Sequence, residues 1–150
     1  MSSVVILINN FNYQSFLDES VKSALAQTYK SKRVCVIDDG STDRSLKVLK
    51  QLKLEHPELE IYEKENAGQL STFNAGLAII GESEWIFLLD ADDVYPLDHV
   101  EQVLKRASEE TSMILVDVQP FSGVLPLEKN PSQKCDEAIV INVPKSAHIT

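Results

Sequence analysis

The chain has 150 residues, 43% of them hydrophobic and 25% charged, and its 14 basic and 23 acidic side chains leave a formal charge of −9. That length fits one domain with a sizeable core, and the composition is ordinary for a soluble globular protein. The acidic balance excludes nucleic acid as a partner, because no basic stripe exists to displace its counterions, and it disfavours anionic membranes.

Met1-Ser2-Ser3 runs straight into an apolar segment, without the basic and hydrophobic regions of a signal peptide. No run reaches the roughly 18 apolar residues needed to span a bilayer. Cys35 lies inside an apolar run and reads as a small core residue, while Cys135 sits in a polar loop. Two cysteines without metal-ligand spacing fit a reducing compartment. The expectation is a soluble, cytoplasmic protein.

Val4-Val5-Ile6-Leu7-Ile8 is a continuous β-branched and aliphatic run, which predicts a first buried strand. It breaks at the polar loop Asn9-Asn10-Phe11-Asn12. Phe16, Leu17, Val21, Ala24 and Leu25 then fall on one face of a helix extending to about Gln27. The second strand, Val34 to Ile37, meets Asp38-Asp39-Gly40-Ser41-Thr42-Asp43. Ser41 or Thr42 is expected to cap a helix whose apolar face is Leu46, Val48, Leu49 and Leu52.

Pro57 closes that helix, and Leu59-Glu60-Ile61-Tyr62 alternates as a shorter strand with one wetter face. Asn66-Ala67-Gly68 makes a turn. A helix of small residues follows from about Leu70 to Ile80, ending near Gly81. Trp85 to Leu89 predicts the fourth strand, and Asp90-Ala91-Asp92-Asp93 forms its tip. Pro96 opens a helix through Val100, Val103, Leu104 and Ala107, and Met113 to Val118 predicts a fifth strand.

Beyond Pro120 the prolines and polar residues predict a long loop, then one more strand at Ala138 to Ile141. Residues 1–118 thus form the core of a single α/β domain with a mostly parallel sheet flanked by helices. Residues 119–150 add a loop and a partial continuation of the sheet. There are no internal repeats.

Two of the strands share an ending. Val34-Cys35-Val36-Ile37 and Trp85-Ile86-Phe87-Leu88-Leu89 are apolar runs without alternation, as expected of strands covered on both faces, and both stop abruptly in acid. Ligands of open α/β sheets bind beyond the carboxyl ends of such strands. Two acidic clusters brought together there repel unless a cation bridges them, which suggests a divalent metal carrying a phosphorylated ligand. Asp90 and Asp92, two apart on extended chain, project to the same side and offer hard oxygens suited to Mg²⁺ or Mn²⁺. Asp93 points elsewhere. Asp38 and Asp39 suit a nucleobase N–H or a ribose, with Gly40 allowing close approach of the backbone. Taken singly, each cluster also reads as a solvated turn or a helix start. No Gly-x-Gly-x-x-Gly follows the first strand, and no Walker A sequence occurs.

The ordered set Ser23-Ala24-Leu25-Ala26-Gln27-Thr28-Tyr29, Val36-Ile37-Asp38-Asp39-Gly40-Ser41-Thr42-Asp43, Glu65-Asn66-Ala67-Gly68, Asn74-Ala75-Gly76 and Leu89-Asp90-Ala91-Asp92-Asp93 resembles family 2 glycosyltransferases of the GT-A fold. The resemblance covers about residues 3 to 107. It implies a nucleotide-diphospho-sugar donor, usually UDP-linked, and inverting transfer dependent on Mn²⁺ or Mg²⁺. By that analogy Asp38 contacts the base, and the loop around Asn9 and Asn12 helps to hold it. Asp39, Asn66 and Asn74 complete the donor set, Asp90 approaches the ribose, and Asp92, with Asp90, ligates the metal.

Three departures accompany the resemblance. Asn9-Asn10-Phe11-Asn12 replaces the commoner Pro-Thr-Tyr-Asn, and Phe73 stands where many members carry a basic residue near the diphosphate. His99 and His56 read as solvated helix histidines rather than replacements for it. A general base is not identified: Asp117, Asp136 and Glu137 are the remaining acids after the fourth tip, and none carries a distinguishing pattern. The alternative to a transferase is therefore a nucleotide-sugar-binding module, an excised donor half. The acceptor, a glycan, lipid or protein, has no signature, and exposed strand edges favour self-association.

Overall fold

Strand β1 (Val4–Asn10) lies inside a four-stranded sheet of order β3-β2-β1-β4, in a computed structural model that describes residues 3–116 and 138–141. Its neighbours are β2 (Lys32–Asp38) and β4 (Trp85–Asp90), and β3 (Glu60–Glu63) flanks β2. All three pairings are parallel. Helices α1 (Leu17–Leu25), α2 (Ser45–Glu55) and α3 (Gln69–Ile80) connect successive strands, as parallel pairing requires. The short α4 (His99–Leu104) follows β4.

The two faces of β1 explain its unbroken apolar sequence. Val4, Ile6 and Ile8 pack with Leu17, Val21, Leu49, Leu52, Val100 and Val103, so α1, α2 and α4 cover one side. Val5 and Leu7 face the other way, with Cys35, Ile37 and Ile80, beneath α3. Each such side chain contributes about 1.5–3 kcal/mol when fully buried. Cys35 is wholly buried, with its thiol pushed up to about 12 by burial, as befits a core residue.

Two local expectations change. Ser41 and Thr42 do not cap α2, whose N-cap is Arg44 and carries no side-chain bond. Instead the Asp43 carboxylate accepts the Ser45 N–H at 2.8 Å, two residues further on. His99 is 7% exposed rather than solvated, and its ring stacks on Tyr95 at a centroid distance of 4.2 Å. Burial lowers its pKa to about 4 despite the nearby Asp98. His56 lies at the C-cap of α2, partly exposed.

Strand β5 (Met113–Val116) does not join the parallel sheet: it pairs antiparallel with β6 (Ala138–Ile141) in a two-stranded sheet of its own. Among the described residues β6 pairs with β5 and not with the four-stranded sheet. Antiparallel partners can return to one another, whereas a parallel addition needs a full crossover. Asp117, Cys135, Asp136 and Glu137 lie outside the described residues. Among those that are described, no helix is long and apolar enough to cross a membrane.

Candidate donor site at the strand tips

The carboxyl end of β1 gathers the two acid tips. Its Asn10 is in register with Asp38 of β2, and its Asn9 with Asp90 of β4. The main chain continues the ladder one step beyond each strand: Asp39 N–H donates to the Asn10 carbonyl at 2.9 Å and Ala91 N–H to the Asn9 carbonyl at 3.2 Å. Asp38 and Asp90 are therefore two strand spacings apart, about 10 Å, with asparagines between them.

Asp38 is wholly buried. One carboxylate oxygen accepts the Asn10 amide at 2.6 Å and the Ser41 hydroxyl at 2.7 Å; the other accepts the Ser41 N–H at 2.8 Å. A base contact from Asp38 does not fit this burial. Its carboxylate braces the loop from beneath, because a buried charge must be matched by donors, and Ser41 of the loop supplies two and Asn10 of β1 a third. Asn12, at φ +62°, accepts the N–H groups of Thr42 and Asp43 at 2.7 and 3.2 Å, fixing the same loop from the β1 side. Gln14 reinforces the join: its side chain takes the Arg44 N–H at 2.8 Å and its own N–H meets Asp43 at 3.1 Å.

Asp39 turns toward the segment before α3. Its carboxylate accepts the Ala67 and Gly68 N–H groups at 3.1 and 2.8 Å and pairs with the Lys64 ammonium. Burial opposes its charge, but Lys64 and the two amides outweigh that cost and hold the carboxyl below the usual range. Gly40, at φ +72°, lets this segment close in: a Cβ there would stand 2.9 Å from the Asn66 nitrogen. Asn66 and Asn74 are exposed.

The β4 tip differs in character. Asp90 is half-buried and accepts the Gln69 amide at 3.1 Å; Asp92 is exposed and has no partner among the described residues. Asp93 is partly buried, and burial together with Asp92 and Asp90 raises its carboxyl above the usual range. Three carboxylates crowded at one tip are an arrangement that a cation relieves. Among the described residues no group of three or more His, Cys, Asp or Glu side chains is placed to hold a metal. The tip suits an ion such as Mg²⁺ or Mn²⁺ that takes one or two carboxylates and completes its shell with water and phosphate. On the other side of β1, the expected basic position is filled by Phe73, which packs against the Val5–Leu7–Ile37 cluster under α3.

Asn10, Ser41, Lys64 and Gln69 are structural members of this rim that residue spacing does not single out. Asn10 and Ser41 sit inside motifs already of interest, and the Asn9 and Asn10 side-chain oxygens are buried without a partner. Lys64 and Gln69 carry no sequence signal; only the tertiary approach of their segment reveals them.

The model of glycosyl transferase family 2 matches residues 4–145. An uncharacterized glycosyltransferase of Nostoc sp. is 35% identical over 103 residues, covering 68% of this chain and 32% of that protein. A chondroitin synthase of Pasteurella multocida is 34% identical over 113 residues, 75% of this chain and 12% of its own length. In structure the chain is similar to a mannosyltransferase from Pyrobaculum calidifontis solved with GDP-Man and Mn²⁺, with a TM-score of 0.72, 22% identity, and coverage of 79% of this chain and 36% of that one. It is also similar to S. aureus TarS solved with UDP-GlcNAc, with a TM-score of 0.61, 20% identity, and coverage of 69% and 30%. The chain thus spans about a third or less of the length of these proteins. With a single α/β domain of GT-A architecture and a match running through both acid tips, the chain belongs to glycosyl transferase family 2.

Proposed function

We propose that this chain binds a nucleotide-diphospho-sugar donor across the tips of β2, β1 and β4 and provides the donor half of an inverting, metal-dependent glycosyl transfer. The observation that carries the reading is the register of β1, which sets Asp38–Asp39 and Asp90–Asp92 on either side of Asn9–Asn10. The nucleoside rests on the loop that Asp38 and Asn12 brace and that Asp39 ties to residues 64–68. Asp90 approaches the ribose, Asp92 with Asp90 holds Mn²⁺ or Mg²⁺, and Asn66 and Asn74 line the donor side.

When bound, the cation offsets charge on the diphosphate as it leaves. The acceptor hydroxyl attacks the anomeric carbon from the face opposite the phosphate oxygen and gives its proton to a general base, while the bond from that carbon to the phosphate oxygen breaks and the nucleoside diphosphate leaves, giving inversion. Solved relatives of this fold with GDP-Man and Mn²⁺, or with UDP-GlcNAc, support the donor class. A UDP-linked sugar is the first donor to test.

A second reading is a binding module without turnover. Asp38, Asp39, Asp90 and Asp92 are accounted for by loop bracing and donor holding, and the base candidates Asp117, Asp136 and Glu137 lie outside the described residues. Calorimetric titration of UDP, GDP and their sugar conjugates, with and without Mn²⁺, tests the donor site. Binding enhanced by Mn²⁺ and lost in Asp92→Asn is expected; metal-independent binding unaffected by that change overturns it. Donor hydrolysis or transfer then separates enzyme from module.

A further inference from the structure

We propose that Gln69 is a positioning residue: it orients Asp90 and couples the acid tip of β4 to that of β2. The inference rests on the donor-site reading above. Gln69 is the first residue of α3, and its backbone is placed by Asp39, which accepts the adjacent Gly68 N–H at 2.8 Å and the Ala67 N–H at 3.1 Å. The Gly68 carbonyl is held in turn, accepting both the N–H and the hydroxyl of Thr72 at 3.1 Å. From this fixed origin the Gln69 amide crosses to one carboxylate oxygen of Asp90, at 3.1 Å. Asp39, Gly68, Gln69 and Asp90 thus form a continuous bridge between two tips that the sheet itself keeps two strands apart.

The residue type matters as much as the contact. Asp90 shares its tip with Asp92 and Asp93, and their mutual repulsion favours splaying apart. A lysine or arginine at position 69 would restrain Asp90 by neutralising it, in competition with a bound cation. A neutral amide occupies one oxygen, fixes the carboxylate plane and leaves the negative charge and the second oxygen for the metal. Helix α3, Gln-Leu-Ser-Thr-Phe-Asn-Ala-Gly-Leu-Ala-Ile-Ile, carries no charged residue, and Phe73 packs inward. Gln69 is the polar side chain through which α3 reaches the acids among the described residues. Because its backbone depends on Asp39, nucleoside contact near Asp39 and cation binding at Asp90 become linked through it.

The test is Gln69→Ala, with UDP and Mn²⁺ as probes and binding as the readout. The expected result is an unchanged melting temperature, with Mn²⁺-dependent tightening of UDP reduced about 3- to 10-fold, as loss of one solvent-exposed hydrogen bond of ordinary net strength implies, and a smaller loss of metal-free UDP affinity through the ribose side of Asp90. The double variant Gln69→Ala/Asp90→Asn should bind no more weakly than Asp90→Asn alone, because Gln69 acts through that carboxylate. Three outcomes overturn the inference: wild-type Mn²⁺ dependence in Gln69→Ala, equal losses with and without metal, or additive losses in the double variant. If the wild-type chain itself shows no Mn²⁺-enhanced binding of UDP or GDP, the donor-site reading falls, and this one with it. That result is distinct from a wild type that responds and a variant that responds equally.

Discussion

The Asn10 amide donates to the Asp38 carboxylate at 2.6 Å with both residues fully buried, so the first acid of the β2 tip acts on the protein rather than on solvent. Removing it would take one of two acceptors from the Asn10 amide, which also donates to the Ser41 hydroxyl at 3.1 Å, and would strand both donors of Ser41. Hydrogen bonds to a buried charge are worth about 1.5–3 kcal/mol each before relaxation. Asp38→Ala is therefore expected to cost about 3–4 kcal/mol of stability in urea unfolding, near the top of the range for single substitutions. Ser41→Ala, which leaves the Asn10 bond in place, should cost less.

Asp92 should behave in the opposite way. It is exposed and unpaired among the described residues, at a tip where like charges already raise the Asp93 carboxyl. Asp92→Asn is expected to leave stability within about 0.5 kcal/mol of wild type, or raise it slightly, as surface changes do. The same change should abolish the Mn²⁺ enhancement of nucleotide binding. A large stability loss in Asp92→Asn, measured by the same urea titration, would show that the tip is a structural element instead.

These contrasts mark how far the sequence carries. β1 and β2 are legible because a strand covered on both faces needs an unbroken apolar run, and Val4–Ile8 and Val34–Ile37 are such runs; Trp85–Leu89 reads the same way, yet β4 leaves Leu88 on an open face. The acid endings locate the rim for the same reason: polarity changes where the sheet stops. What the pattern cannot separate is Asp38 from Asp39, or either from Asp92, since burial depends on which loop folds over which carboxylate. His99 fails similarly: polar by type, it is buried because its ring stacks on Tyr95. Gln69 is invisible until α3 and β4 are brought side by side.

Asp39 predicts an acid sensitivity. Its folded carboxyl lies below the usual value, so its contribution is fully present above the unfolded pKa of about 3.9 and is lost as pH falls through the lower folded value. Asp39→Asn should flatten the acid limb of the stability curve below about pH 4. It should also speed hydrogen exchange at the Ala67 and Gly68 amides, which donate to this carboxylate. Protection at those two amides unchanged by the substitution would contradict the assigned bonds.

His99 acts in a higher window. Folded, its pKa is lowered to about 4 by burial against Tyr95 and Phe87, whereas unfolded it titrates near 6.5. Below pH 6.5 the unfolded state gains a proton that the folded state refuses. Stability should therefore fall between about pH 6.5 and 4, by about 3 kcal/mol in total. His99→Phe, which keeps a ring on Tyr95, should remove that slope while leaving the Asp39 limb intact. Ring-proton chemical shifts read across the same range test the pKa directly.

Gly76 reports how closely α3 is pressed onto β1. A Cβ there would stand 2.5 and 2.8 Å from the two terminal carbons of Leu7 and 3.2 Å from its branch carbon. Helix propensity alone favours alanine by about 1 kcal/mol, but overpacking of a closed core costs about 1–3 kcal/mol. Leu7 is sandwiched in the cluster with Val5, Cys35 and Ile37 and has little room to turn away. Gly76→Ala is expected to lose about 1–2 kcal/mol net, the clash outweighing the propensity gain. The cause is specific enough to be isolated by a double-mutant cycle. Leu7→Ala alone opens a cavity and should be costly, about 2–5 kcal/mol. In the Gly76→Ala background the added methyl occupies part of that space, so the pair should be less destabilising than the two single losses combined. Simple additivity in thermal unfolding would mean that α3 can shift outward, and with it the Gln69 end of the helix, which would then be expected to lose its hold on Asp90.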